Sequence, residues 1–140
     1  MRGDVWRLAN HTAFGIDAAT DGPMVALLGD LATLHDLGGF AAAARLGRGG
    51  TIIVLNNGGI GKGIAEFPTD GPLPPGVLTI GARYDLMMEA FGGKGFFVED
   101  PKDLAGALEQ AKAHDGPALV NVVLHPEAGR KPQQFGWLTT

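Results

Sequence analysis

Two short stretches place oxygen-bearing side chains next to glycine: Leu27-Leu28-Gly29-Asp30 and Leu55-Asn56-Asn57-Gly58-Gly59. Each follows an apolar run, residues 24–28 in one case and 51–55 in the other. Continuous apolar runs of this length read as buried parallel strands. If the two strands are neighbours, the carboxylate of Asp30 and the amide oxygen of Asn57 converge at one sheet edge. Hard oxygen donors of this kind suit Mg²⁺ or Ca²⁺. The flanking glycines bare backbone N–H groups that can hold phosphate oxygens. Magnesium keeps open positions and fills them with phosphate, so the expected ligand is a Mg²⁺-bridged diphosphate. Gly61-Lys62-Gly63 raises a nucleotide loop as the alternative. A P-loop, however, needs glycine where Asn56 stands and a hydroxyl where Gly63 stands, and no G-x-G-x-x-G follows the first strand. Taken singly, Asp30 could cap the helix after it and the asparagines could satisfy a turn. Their pairing, each behind its own strand, is what favours a site.

The elements that must position these residues can be read in turn. Leu31, Leu34, Leu37 and Ala41 fall at helical spacing, with Gly38-Gly39 inside that helix or breaking it. An internal glycine costs about 1 kcal/mol relative to alanine, so close packing or a break is expected there. Residues 58–81 are rich in glycine and proline and read as a long loop. Residues 82–93 read as a helix closed by glycine, and 95–99 as a strand. Residues 100–116 form a further helix, with Asp100 as cap, Pro101 in the first turn and Gly116 as stop. Residues 117–124 read as the last strand, and the tail 125–140 shows little periodicity. Strands alternating with helices predict an α/β fold, a mostly parallel sheet flanked by helices. Ligands in such sheets bind beyond the carboxyl ends of the strands.

The bulk composition narrows the function classes. The 140 residues suit one domain, here 1–140, and 45% hydrophobic with 19% charged residues reads as globular rather than disordered. A net charge of −4 argues against nucleic acid or an anionic membrane surface as partner. Without cysteine there is no disulfide, thiol nucleophile or thiolate metal site. No segment reaches the roughly 18 apolar residues of a membrane span, and the first residues lack a signal-peptide core. A cytoplasmic location is expected. The 23 glycines form no repeat and gather at the edges of apolar runs, where strands turn into helices or backbone approaches a ligand.

Gly29-Asp30, the stretch 31–55, and Asn56-Asn57 together resemble the GDG…NN signature of thiamine-diphosphate enzymes. The resemblance implies the thiamine-diphosphate-binding fold, shortened here, with Mg²⁺ and thiamine diphosphate as cofactors. It also implies that Asp30, the Asn57 side chain and the Gly59 carbonyl bind the metal. Backbone around Gly29, Leu31, Ala32, Ile60 and Gly61 would touch the diphosphate. Ile16 takes the place of the apolar wedge that bends the cofactor; a core isoleucine is an equal alternative.

Two branches of that family are resembled. Phe14-Gly15-Ile16-Asp17 with the stretch 29–40, including Leu31 in place of the second signature glycine, resembles the menaquinone-pathway SEPHCHC synthase. The stretches 55–60, 82–108, 117–124 and 129–139 resemble oxalyl-CoA decarboxylase and 2-hydroxyacyl-CoA lyase. The implied activity is a decarboxylase or C–C lyase on a 2-oxo acid, 2-hydroxyacyl-CoA or oxalyl-CoA type of substrate, with a carboligase as alternative.

Two departures qualify the resemblance. The family has a helix rich in small residues between the segments matching 15–17 and 24–28, where only 18–23 stand here. The glutamate that activates the aminopyrimidine belongs to a separate pyrimidine-binding domain, and Glu66 and Glu89 lie in other contexts. No catalytic residue is therefore assigned within the chain, and a pyrimidine-binding domain or subunit is the expected partner. A homo- or hetero-oligomer is expected because the family's site lies between subunits and a shortened domain leaves apolar faces to cover. The rival reading is a non-catalytic assembly domain that kept the fold. His35 beside Asp36 reads as structural, His125 ends the last strand and reads as exposed, and His11 and His114 have no partner at metal-ligand spacing. Lys62 and Arg130-Lys131 read as solvated, with an anionic substrate group or a CoA phosphate as alternative contacts. Phe135 and Trp137 read as anchors packing the tail down.

Overall fold

The computed structural model describes residues 9–20, 24–47, 49–59 and 82–124. Its strands are β1 (Met24–Gly29), β2 (Gly50–Asn56), β3 (Lys94–Val98) and β4 (Pro117–Val123). Its α-helices are α1 (Ala9–Ala19), α2 (Asp30–His35), α3 (Gly38–Leu46), α4 (Tyr84–Ala90) and α5 (Leu104–Ala113). The strands are all parallel and ordered β1-β2-β4-β3. The expected α/β architecture is present, and β1 and β2 are neighbours.

The register divides the core in two. Ala26, Ile52, Leu119 and Gly95 lie opposite one another across the sheet. Their face packs with Phe14, Phe40, Ala43, Tyr84 and Met88, supplied by α1, α3 and α4. The other face carries Ala118, Val120 and Val98 and packs against Ala107 and Ala111 of α5. On that second face, over the edge strand β1, Val25 and Leu27 are 50% and 63% exposed.

Helix α1 was not anticipated from the sequence. It is held by tertiary contacts rather than by its own propensity: Phe14 is buried in the core, and the fully buried Asn10 amide donates to the carbonyls of Thr33 (3.3 Å) and Asp36 (2.9 Å). The Asp36 carboxylate in turn accepts the His11 backbone N–H at 2.9 Å and pairs with His11 Nδ1. His11 thus has a structural partner.

The helix expected after Asp30 is split into α2 and α3. The break falls at Asp36-Leu37, just ahead of the glycine pair, and Gly39 serves close packing. A Cβ there would lie 2.4 Å from Asn10 Cβ and 2.9 Å from the His11 backbone nitrogen. The glycine stop after α4 is as expected. Gly92 has φ +92° and Gly93 N–H donates to Met88 O at 3.0 Å. At the last helix, Asp100 accepts the Lys102 N–H at 3.0 Å, and a 3-10 turn, Pro101–Asp103, leads into α5. The loop 60–81 and the tail 125–140 lie outside the described residues.

Candidate functional site

Gly29 lies opposite Leu55 across β1 and β2. Asp30 and the turn Asn56-Asn57-Gly58-Gly59 therefore leave adjacent parallel strands at the same carboxyl edge. Asp30 is 2% exposed, and its Oδ1 accepts the Leu31 N–H at 2.8 Å. It opens α2, where the helix dipole favours a negative charge. Thr33, fully buried, locks that start by donating from Oγ1 to the Gly29 carbonyl at 3.0 Å.

The turn after β2 is built from two overlapping side-chain-to-backbone bonds. Asn56 Oδ1 accepts Gly58 N–H, and Asn57 Oδ1 accepts Gly59 N–H, each at 3.3 Å. Asparagine favours such turns because its side chain mimics a backbone carbonyl. Gly58 has φ +74°, a conformation that glycine adopts without steric cost. The Asn57 oxygen still has a second lone pair. The Asp30 carboxylate, the Asn57 amide oxygen and the Gly59 carbonyl would together make an all-oxygen donor set, of the kind that fits Mg²⁺. Among the described residues no three His, Cys, Asp or Glu side chains cluster as a metal site. A Cβ added to Gly29 would meet nothing within 4 Å, so the space before it is open.

Other sequence-predicted residues fall as follows. Leu31 and Ala32 are half-buried in the first turn of α2. Ile16 is 55% exposed, away from the Asn10, Ala13, Phe14 and Asp17 side of α1 that packs inward. The core-isoleucine reading of Ile16 therefore does not hold. Glu89 is exposed and pairs with Lys94 at 3.6 Å. His35 is exposed at the end of α2. Ile60, Gly61, Lys62, Glu66, His125, Arg130, Lys131, Phe135 and Trp137 lie outside the described residues.

A group behind the turn leaves little mark in the sequence. Asn56 Nδ2 donates to Asn121 Oδ1 (3.2 Å) and to Ala82 O (3.4 Å). Asn121 Nδ2 donates to Asp85 Oδ1 at 3.1 Å, and Arg83 Nε donates to the same oxygen at 2.9 Å. Burial opposes ionisation of Asp85, yet the bonds from Arg83 and Asn121 and the Arg83 charge outweigh it and hold the carboxyl below its ordinary range. Bonding to Asp85 raises Arg83 in turn. The Arg83 guanidinium lies 3.9 Å from the centre of the Phe97 ring, a cation–π contact. Asn56, Asn57, Arg83, Phe97, Glu99 and Val123 line a cleft of about 320 Å³. The available signal was a lone asparagine inside the apolar strand at 117–123.

This architecture is that of α/β domains that take their ligands at the carboxyl ends of the strands. A family model, "Thiamine pyrophosphate enzyme, C-terminal TPP binding domain", matches residues 9–122, and the chain belongs to that family. It is 39% identical over 101 residues to 2-hydroxyacyl-CoA lyase 1 of Homo sapiens, covering 63% of this chain and 17% of the relative. It is 34% identical over 119 residues to oxalyl-CoA decarboxylase of Escherichia coli K12, covering 84% of this chain and 21% of the relative. A shorter match, 48% over 50 residues, covers 36% of this chain and 8% of the 2-succinyl-5-enolpyruvyl-6-hydroxy-3-cyclohexene-1-carboxylate synthase of Natronomonas pharaonis. Both resembled branches are thus represented. Among solved structures, the thiamine diphosphate-dependent 4-hydroxybenzoylformate decarboxylase of Rhodococcus jostii RHA1 superposes with a TM-score of 0.73 at 28% identity. That likeness covers 84% of this chain and 23% of the decarboxylase. The chain spans about a fifth of the length of the curated relatives it matches.

Proposed function

We propose that this chain is the diphosphate-binding module of a Mg²⁺-dependent thiamine-diphosphate lyase or decarboxylase acting on a 2-hydroxyacyl-CoA or oxalyl-CoA type of substrate. The observation that carries the reading is the meeting of Asp30 and the Asn56–Gly59 turn at the ends of neighbouring parallel strands. Asp30, Asn57 and the Gly59 carbonyl would hold Mg²⁺. Backbone at Gly29, Leu31, Ala32, Ile60 and Gly61 would hold the diphosphate, with Ile16 against the cofactor. Once bound, thiamine diphosphate supplies the electron sink for breaking or forming a C–C bond beside a carbonyl. The residues of this chain anchor and orient.

Activation of the aminopyrimidine requires a glutamate from a pyrimidine-binding partner, so the module is inactive alone. The pure chain given thiamine diphosphate, Mg²⁺ and oxalyl-CoA is expected to release no CO₂. Turnover under those conditions would overturn the need for a partner. A second reading, a non-catalytic assembly domain, is favoured by one observation, the exposed Val25 and Leu27 on β1. The retention of both halves of the oxygen donor set weighs for the first reading.

A further inference from the structure

Asn121 is the polar exception in β4 and is fully buried, on the sheet face that also carries Val54 and Phe97. Packing alone would be served there by an apolar side chain. A buried amide is tolerated only where its groups are bonded, and both ends of this one are used. The direction of the bonds follows from chemistry. An ionised carboxylate only accepts, so Asp85 requires the Nδ2 end of Asn121. That leaves Asn121 Oδ1 facing Asn56, which must answer with its own Nδ2. Asn56 Oδ1 is then turned outward to the Gly58 N–H. Reversing either amide would set donor against donor or acceptor against acceptor. The polarity of the whole chain is therefore set at Asp85, and Arg83 keeps Asp85 paired.

We propose that Arg83, Asp85 and Asn121 are positioning residues for the Asn56–Gly59 turn: their one-way hydrogen-bond relay fixes the Asn56 amide and, through it, the path that presents Asn57 and the Gly59 carbonyl. The proposal rests on reading that turn as the metal and diphosphate site. Partners behind metal ligands commonly fix their orientation and tune affinity.

The test uses the full chain with two substitutions. Asn121→Leu keeps size and burial but removes the relay; Asp85→Asn keeps shape but removes the charge that sets its direction. Amide hydrogen exchange is followed at Gly58 and, as a reference, at Ile52 and Val54 inside β2. Gly58 is expected to exchange about tenfold faster in both variants while the β2 amides hold, since local opening is set by local bonds. Unchanged protection of Gly58 in folded variants would overturn the relay. If Asn121→Leu loosens every amide alike, Asp85→Asn decides by the same criterion.

Titration with thiamine diphosphate and Mg²⁺ forms the second arm. Affinity lower by about tenfold, measured well below the melting temperature of each folded variant, is the expected result; equal affinity would sever the relay from the site. If the unsubstituted chain fails to bind, the reading of the turn as a diphosphate site fails, while the exchange arm still judges the relay.

Discussion

Asp85 sits behind the site as a buried carboxylate whose pairing with Arg83 and Asn121 outweighs its burial. A carboxyl held below its ordinary range in the folded state contributes stability above the unfolded pKa, about 4. That contribution is lost as pH falls through the lower folded value. The urea midpoint of the chain should therefore drop across this acid range, and Asp85→Asn should drop less over the same range. An equal drop in both would mean that Asp85 is not a principal acid-sensitive group. Asp30 and Asn57 could be read from sequence because each ends an apolar run and is flanked by glycine. The role of Asn121 could not, because Asp85 and Asn56, which it joins, lie 36 and 65 residues away along the chain. Ile16 carried two readings from sequence, a wedge against the cofactor and a core side chain; the helical phase of α1 leaves it 55% exposed and excludes the second.

At the level of elements, the approach of α1 to α3 is the contact least visible in the sequence. The segment that forms α1 contains Asn10, Gly15 and Asp17, which are poor helix formers. What holds it is Asn10 bonded across to the end of α2 and Phe14 in the core. Gly39 makes this possible by having no side chain. Gly39→Ala tests it, because two effects oppose each other. Alanine favours a helix by about 1 kcal/mol over glycine, whereas forced overpacking costs about 1–3 kcal/mol. The nearest atoms include backbone of Asn10 and His11 at 2.9–3.0 Å, which no rotamer change moves. The variant is expected to unfold at lower urea, and a rise in the midpoint would show that α1 yields easily. By contrast, strands 24–28, 51–55, 95–99 and 117–124 and the α5 cap were readable to within a residue or two. Buried parallel strands are apolar throughout, and Asp-Pro marks a helix start.

At the scale of the whole molecule, the sheet is built to display its carboxyl edge. Parallel strands with helices on the faces put both Asp30 and the asparagine turn at one end. Strand order was not readable from sequence, since β4 inserts between β2 and β3 through contacts far apart in the chain. The second face is covered by α5 over β3 and β4, and Val25 and Leu27 of β1 stand exposed. The chain matches the C-terminal domain of larger enzymes and spans about a fifth of their length. Among the described residues, no helix is long and apolar enough to cross a membrane.

The role proposed for Asp30 and Asn57 is to hold thiamine diphosphate through Mg²⁺. Its most direct test is a calorimetric titration of thiamine diphosphate into the chain with Mg²⁺, again with EDTA, and again with Asp30→Ala. Binding should need the metal and be lost in the variant while the fold, followed by its melting temperature, persists. Binding indifferent to both EDTA and Asp30→Ala would contradict it.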